Sequence, residues 1–219
     1  MNTARRALAD GLGTALLLAV VVGSGIMGER LAGGNQNLAL LANSLATGFG
    51  LIALILAFGP RSGAHFNPVV TAALAFRKEF PAGGILPYVA AQFAGALLGV
   101  LAAHAMFDIP LIQIGDKARF GPAQWWSEIV ATFGLVFVVL SCEKKVAPLA
   151  IGAYIAAAYW FTASTSFANP AVTLARGFTA TFSGIRPEDV AGFVVAQVAG
   201  AVLAIWADRA LFDEGKRAP

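Results

Sequence analysis

Charge is scarce in this chain: Asp, Glu, Lys and Arg together make up 12% of its 219 residues, about half the share of an ordinary soluble domain. A soluble domain of this length needs about a quarter of its residues charged to coat its surface, so that class is excluded. Cysteine occurs once, as Cys142, which excludes an intramolecular disulfide framework. The basic residues are scattered rather than clustered, so nucleic-acid binding has no support. No His/Cys/Glu group has metal-ligand spacing, no Gly-rich phosphate loop follows a strand pattern, and no nucleophile–base motif stands out. The sequence therefore predicts neither a metal nor a cofactor, and an intramembrane enzyme would lack a catalytic constellation.

What the chain has instead is apolar content: 58% of residues are hydrophobic and the mean hydropathy is +0.73. That is too much to leave disordered, so the expected class is a polytopic membrane protein. At about 20 residues per crossing, the length allows six or seven spans with short connections. Apolar segments run over about 7–28, 38–58, 84–107, 125–142, 147–164 and 190–212. The first follows Arg5 and Arg6 but is longer than the apolar stretch of a signal peptide and has no small-residue cleavage site. It reads as a retained span.

Lys and Arg set the orientation. With the N-terminus inside, ten lie on the cytoplasmic side, among them Arg77, Lys144, Lys145, Lys216 and Arg217, against five outside: Arg30, Lys117, Arg119, Arg176 and Arg186. Both termini are expected in the cytoplasm.

Residues 62–78 and 164–178 are too apolar for surface loops and too short to cross a bilayer. Each carries Asn-Pro, with Asn suited to cap a helix and Pro to its first position. About ten helical residues rise about 15 Å, half of the hydrocarbon core, so these segments predict re-entrant half-helices.

The second half of the chain echoes the first. Asn67-Pro68-Val69-Val70-Thr71 matches Asn169-Pro170-Ala171-Val172-Thr173, and Tyr88–Phe107 against Phe193–Phe212 gives ten identities in twenty. Each half also opens with an acid followed four residues later by threonine: Asp10 with Thr14, and Glu128 with Thr132. Three spans per half invert the second repeat relative to the first, so the half-helices enter from opposite faces and meet near midplane. Inverted repeats with broken helices at that depth mark a solute pathway. The expected organisation is one channel domain over 1–219, with inverted repeats at about 1–110 and 120–213.

These residues resemble the aquaporin, or major intrinsic protein, family. The resemblance rests on Ser62-Gly63-Ala64-His65-Phe66-Asn67-Pro68-Val69, on Ala168-Asn169-Pro170-Ala171, and on the two Ala-Gln-x-x-Gly-Ala segments. It implies an all-α membrane protein with six transmembrane helices and two half-helices, usually a homotetramer in the lipid bilayer, with one pore per protomer for water or small neutral solutes. The half-helix N-termini, each equivalent to about +0.5 charge, would together disfavour protons and cations.

The pattern departs at the outer constriction. Most members carry an arginine after the second Asn-Pro-Ala, and here that residue is Val172. Gapless family spacing assigns the remaining filter positions to Thr47, Ala157 and Ser166, which predicts a wide, weakly polar ring. Arg176 lies about 10 Å further along the half-helix axis. It either anchors the outer vestibule on a carbonyl or on the Glu188/Asp189 region, or touches solute directly. Asp10 and Glu128 either relay protons or orient the backbone of the re-entrant loops, and the resemblance implies the second. His65 either lines the cytoplasmic half of the pore or braces its loop.

Members without the filter arginine include bacterial channels associated with arsenic resistance, which the run Ser164-Thr165-Ser166-Phe167-Ala168-Asn169-Pro170-Ala171-Val172-Thr173 resembles. That likeness implies a bacterial plasma-membrane channel for arsenite, methylated arsenicals and glycerol-like polyols, with some water. The alternatives are an ordinary water and glycerol facilitator, or a proton-coupled secondary transporter using Asp10 and Glu128.

Overall fold

The computed structural model describes residues 2–212; Lys216 and Arg217 of the orientation argument lie outside the described residues. Eight α-helices follow one another among these residues: α1 (Thr3–Leu31), α2 (Gln36–Ser62), α3 (Pro68–Phe76), α4 (Ile85–Met106), α5 (Pro122–Ser141), α6 (Ala147–Phe161), α7 (Pro170–Arg176) and α8 (Pro187–Phe212). Five of them are long and apolar enough to cross a bilayer.

The sixth expected span, 147–164, is shorter than its apolar run. Helix α6 has 15 residues and rises about 22 Å. It stops because Thr162 is extended and Thr165 and Ser166 adopt left-handed backbone with φ of 59° and 50°. Those residues already belong to the re-entrant loop leading to α7.

The two half-helices, α3 and α7, begin as their sequences dictate. Asn67 caps α3 by accepting from Val69 N at 3.1 Å, and Asn169 caps α7 by accepting from Ala171 N at 3.0 Å, with proline at each first helical position. Helix α3 follows α2 on the face that carries the N-terminus, whereas α7 follows α6 on the opposite face, so the pair enters from opposite sides.

Helices α4, α5 and α8 pack against this pair. Helix α1 packs along α4 and α5 along α8. Gly95 and Gly200 let the paired backbones approach: a Cβ at Gly95 would overlap the carbonyl of Gly11, and one at Gly200 that of Ile129. Outside, large apolar side chains such as Leu8, Phe49, Leu98, Val195 and Trp206 are exposed, as a lipid-facing surface requires.

Candidate functional site

The site is built from two copies of one polar device. Asp10, buried in α1, accepts from His65 N (2.9 Å), Phe66 N (3.0 Å), Ser62 Oγ (3.0 Å) and Gln92 Nε2 (2.7 Å). Glu128, buried in α5, accepts from Phe167 N (2.9 Å), Ala168 N (2.9 Å) and Gln197 Nε2 (2.6 Å). Each glutamine also donates to a threonine hydroxyl, Thr71 at 2.9 Å and Thr173 at 2.7 Å. Those hydroxyls in turn donate to the carbonyls of Asn67 and Asn169.

This device holds backbone that would not hold itself. Ala64 and Phe66 in the first loop, and Ser166 and Ala168 in the second, have φ between 49° and 51°. Left-handed backbone costs a non-glycine residue roughly 1–2 kcal/mol. Two charge-assisted bonds to each carboxylate, each contributing about 1.5–3 kcal/mol, offset a cost of that size. The carboxylates are saturated by donors and do not face the cavity described below.

The strained residues aim two carbonyls across the midplane. Asn67 Nδ2 donates to Ala168 O and Asn169 Nδ2 donates to Phe66 O, each at 2.8 Å. Each amide has two N–H groups, so one on each asparagine is left for a passing oxygen. Both asparagines line a cavity of about 670 Å³ that runs from Lys144 and Lys145, on the face bearing the N-terminus, to Thr47, Val172 and Arg176.

Of the four residues assigned to the filter from the sequence, Thr47, Ser166 and Val172 line that cavity and Ala157 does not. Ala157 is exposed on the outer side of α6, and Tyr159 lines the cavity in its place. Two residues apart on a helix means about 200° of rotation, so the two point to opposite sides. Tyr159 Oη and Thr47 Oγ1 lie 3.2 Å apart. A signal was available in helical periodicity: Ile155 and Tyr159 are large side chains spaced four apart, on one face of a helix.

Beyond the constriction lies a second cavity, of about 300 Å³, lined by Gln36, Asn43, Lys117, Arg119 and Gln124 among others. Arg176 lines both cavities and therefore sits between them. Its Nε donates to the carbonyl of Ser183, and its guanidinium lies 3.3 Å from the ring centre of Phe167. Its anchor is thus a carbonyl and not the Glu188/Asp189 region; Asp189 is taken by the side chain of Arg186 and by Arg119 N. Arg119 faces the same ring at 4.8 Å and donates to Gly184 O at 2.9 Å and Ser164 O at 3.0 Å. Sequence position had marked Arg119 only as an outside charge. Burial pulls its guanidinium down to about 10, against a partial opposing pull from Glu128, and it stays protonated at neutral pH.

His65 lines the first cavity and also braces the loop, with Nδ1 3.1 Å from Thr71 Oγ1 and its ring against Phe80 and Tyr88. The equivalent position of the second repeat is Phe167, the ring that the two guanidiniums share.

The sequence profile of the family described as Major intrinsic protein matches residues 1–165. Aquaglyceroporin AqpS of Rhizobium meliloti (strain 1021) is 53% identical over 204 residues, covering 92% of this chain and 87% of that protein. Aquaporin NIP2-2 of Zea mays is 33% identical over 183 residues, which is 78% of this chain and 60% of that longer protein. Among solved structures, the X-ray structure of the aquaglyceroporin from Plasmodium falciparum superposes with a TM-score of 0.73 at 18% identity, covering 96% of this chain and 97% of that one. At that identity the likeness concerns the fold.

Proposed function

Because the chain belongs to the major intrinsic protein family of membrane channels, and is not an enzyme, we propose that it passes water, glycerol and other small uncharged solutes passively through a wide constriction. The observation that carries this reading is the set of Thr47, Tyr159, Ser166 and Val172 on the cavity wall, which contains no ionised group, with Arg176 lining the same cavity from the end of α7. Neutral trihydroxides the size of glycerol, such as arsenite, and methylated arsenicals fit the same chemistry. They need hydroxyl partners, which Thr47, Tyr159 and the Asn67 and Asn169 amides offer, and a width that a filter arginine would reduce.

The proton-coupled alternative loses its candidates. Asp10 and Glu128 are fully buried and every carboxylate oxygen accepts a bond from backbone or glutamine. A proton taken up there would break the loop device rather than travel. The proposal includes cytoplasmic termini in a bacterial plasma membrane, one channel domain built of inverted repeats, and assembly as a homotetramer.

Stopped-flow swelling of proteoliposomes with a panel of water, glycerol, erythritol and urea, together with arsenite uptake, tests the reading. Flux of glycerol and arsenite should follow their own gradients and ignore an imposed pH gradient. Uptake against a gradient that tracks proton motive force would overturn it, and so would water flux without any glycerol or arsenite flux.

A further inference from the structure

Three cations converge on the 300 Å³ vestibule on the face opposite the N-terminus: Lys117, Arg119 and Arg176. No carboxylate lines that cavity among the described residues. Among the described residues none lies within ion-pair distance of any of the three; the ion pairs there involve only Arg77 and Arg186. Acidic groups do exist nearby, but each is directed elsewhere. Asp189 is bound to Arg186 and Arg119 N, and Glu128 faces the amides of the re-entrant loop. Glu29 and Asp116 are exposed and act on Lys117 only at longer range.

Buried charges are ordinarily paired. Arg176 is 2% exposed and Arg119 is 6% exposed, yet their protein partners are carbonyls, one hydroxyl and the face of Phe167. Only Nε of Arg176 is engaged: neither terminal nitrogen has a hydrogen-bond partner among the described residues. The side chain that carries those two donors lines both cavities. Lys117 holds the rim, donating to Phe182 O at 3.2 Å with Nζ 4.6 Å from the Phe182 ring centre. Neutral amides complete the wall: Gln36, Asn37, Asn43 and Gln124.

We propose that this vestibule is a binding site for a small monovalent oxyanion, held by the two free donors of Arg176 with Arg119 behind it and Lys117 at the rim. A guanidinium presents parallel N–H groups that match two oxygens of a carboxylate, sulfonate or phosphonate. The cavity volume suits a ligand at the small end of the range for small-molecule sites. A cation would be repelled, and a neutral solute would leave the uncompensated charge unanswered. The bound anion sits just outside the constriction, against the residue shared by both cavities, so it competes with neutral solute for entry. The site rests on the channel reading only for this readout, since binding itself does not require flux.

The test uses methanesulfonate, a permanent monovalent oxyanion, with dimethyl sulfone as its neutral counterpart. Glycerol influx into proteoliposomes is followed by stopped flow with either compound on both sides of the membrane and osmolality matched. Methanesulfonate should slow influx saturably, whereas dimethyl sulfone at equal concentration should not. Lys117→Gln should raise the half-inhibitory concentration by about threefold or more, as expected for loss of one attracting charge. Arg176→Met should abolish the inhibition if that variant still conducts. Isothermal titration of methanesulfonate into the detergent-solubilised protein reads binding without flux. Heat saturating for the parent and weakened in Lys117→Gln supports the site even if glycerol flux fails, which would count against the channel reading alone. Equal slowing by both compounds, no saturable binding in either assay, or a half-inhibitory concentration unchanged in both variants would overturn the proposal.

Discussion

Thr47 of α2 and Tyr159 of α6 join hydroxyls at 3.2 Å on the wall of the larger of the two cavities described above. The tyrosine ring supplies the bulk there, while its hydroxyl is tied back to the wall. Bulk and polarity at the constriction therefore come from one side chain, on a helix face that also carries Ile155.

Truncating that ring should widen the pore. Tyr159→Ala is expected to raise glycerol and erythritol permeability relative to water by roughly threefold or more, because pore diameter governs which solutes enter. Ala157→Leu, on the outer side of the same helix, should leave the ratio unchanged. Stopped-flow swelling with the three permeants measures both, and a shift in the Ala157→Leu ratio alone would place the wrong face of α6 on the pore.

Val172→Arg should act in the opposite sense. It adds a bulky cation to a ring that has none, beside Arg176 and Arg119. Flux of glycerol and methylated arsenicals should fall more than water flux. Equal retention of every solute in swelling and uptake assays would mean that position 172 does not set the width.

Glu128→Gln keeps the shape of the side chain but turns one acceptor into a donor facing backbone N–H groups and Gln197. Leaving buried donors without an acceptor costs about 2–4 kcal/mol. For a chain of this length that lowers Tm by on the order of 5–15 °C, readable by thermal unfolding in detergent. Glycerol flux should fall as well, because Phe167 and Ala168 lose the group that fixes them. A variant of unchanged Tm and unchanged flux would remove Glu128 from the loop support.

Lys117 gives the vestibule a pH dependence. Burial holds its ammonium below the ordinary lysine value of 10.5, helped by Arg119 and Arg176 and opposed by Glu29 and Asp116. The charged form is therefore the one lost early as pH rises. Inhibition of glycerol influx by methanesulfonate should weaken with rising pH, beginning below 10.5, and Lys117→Gln should flatten that change. A pH profile identical in the two proteins would exclude Lys117 as the titrating group.

The parts of this molecule that could be read from sequence are those written in consecutive residues. Asn67-Pro68 and Asn169-Pro170 start helices by local chemistry alone, and the acid at position 10 or 128 is conspicuous in an apolar span. Gln92 and Gln197 were visible as repeated identities, yet their task depends on α4 and α8 packing beside the acids, which no local pattern specifies. Position 157 failed for a geometric reason: counting residues along a family spacing ignores the 100° turn per residue that decides which side of α6 faces inward. Arg119 lies in the connection between α4 and α5, and its burial is created by two other loops, one carrying Ser164 and Phe167 and one carrying Gly184.

The crossed bonds from Asn67 to Ala168 and from Asn169 to Phe66 bolt the two half-helices to each other at the centre of the molecule. Neither half can retreat without unseating the partner's loop, so the midplane behaves as a fixed bearing. Whatever freedom of shape the pathway has must lie toward its two ends, away from this joint.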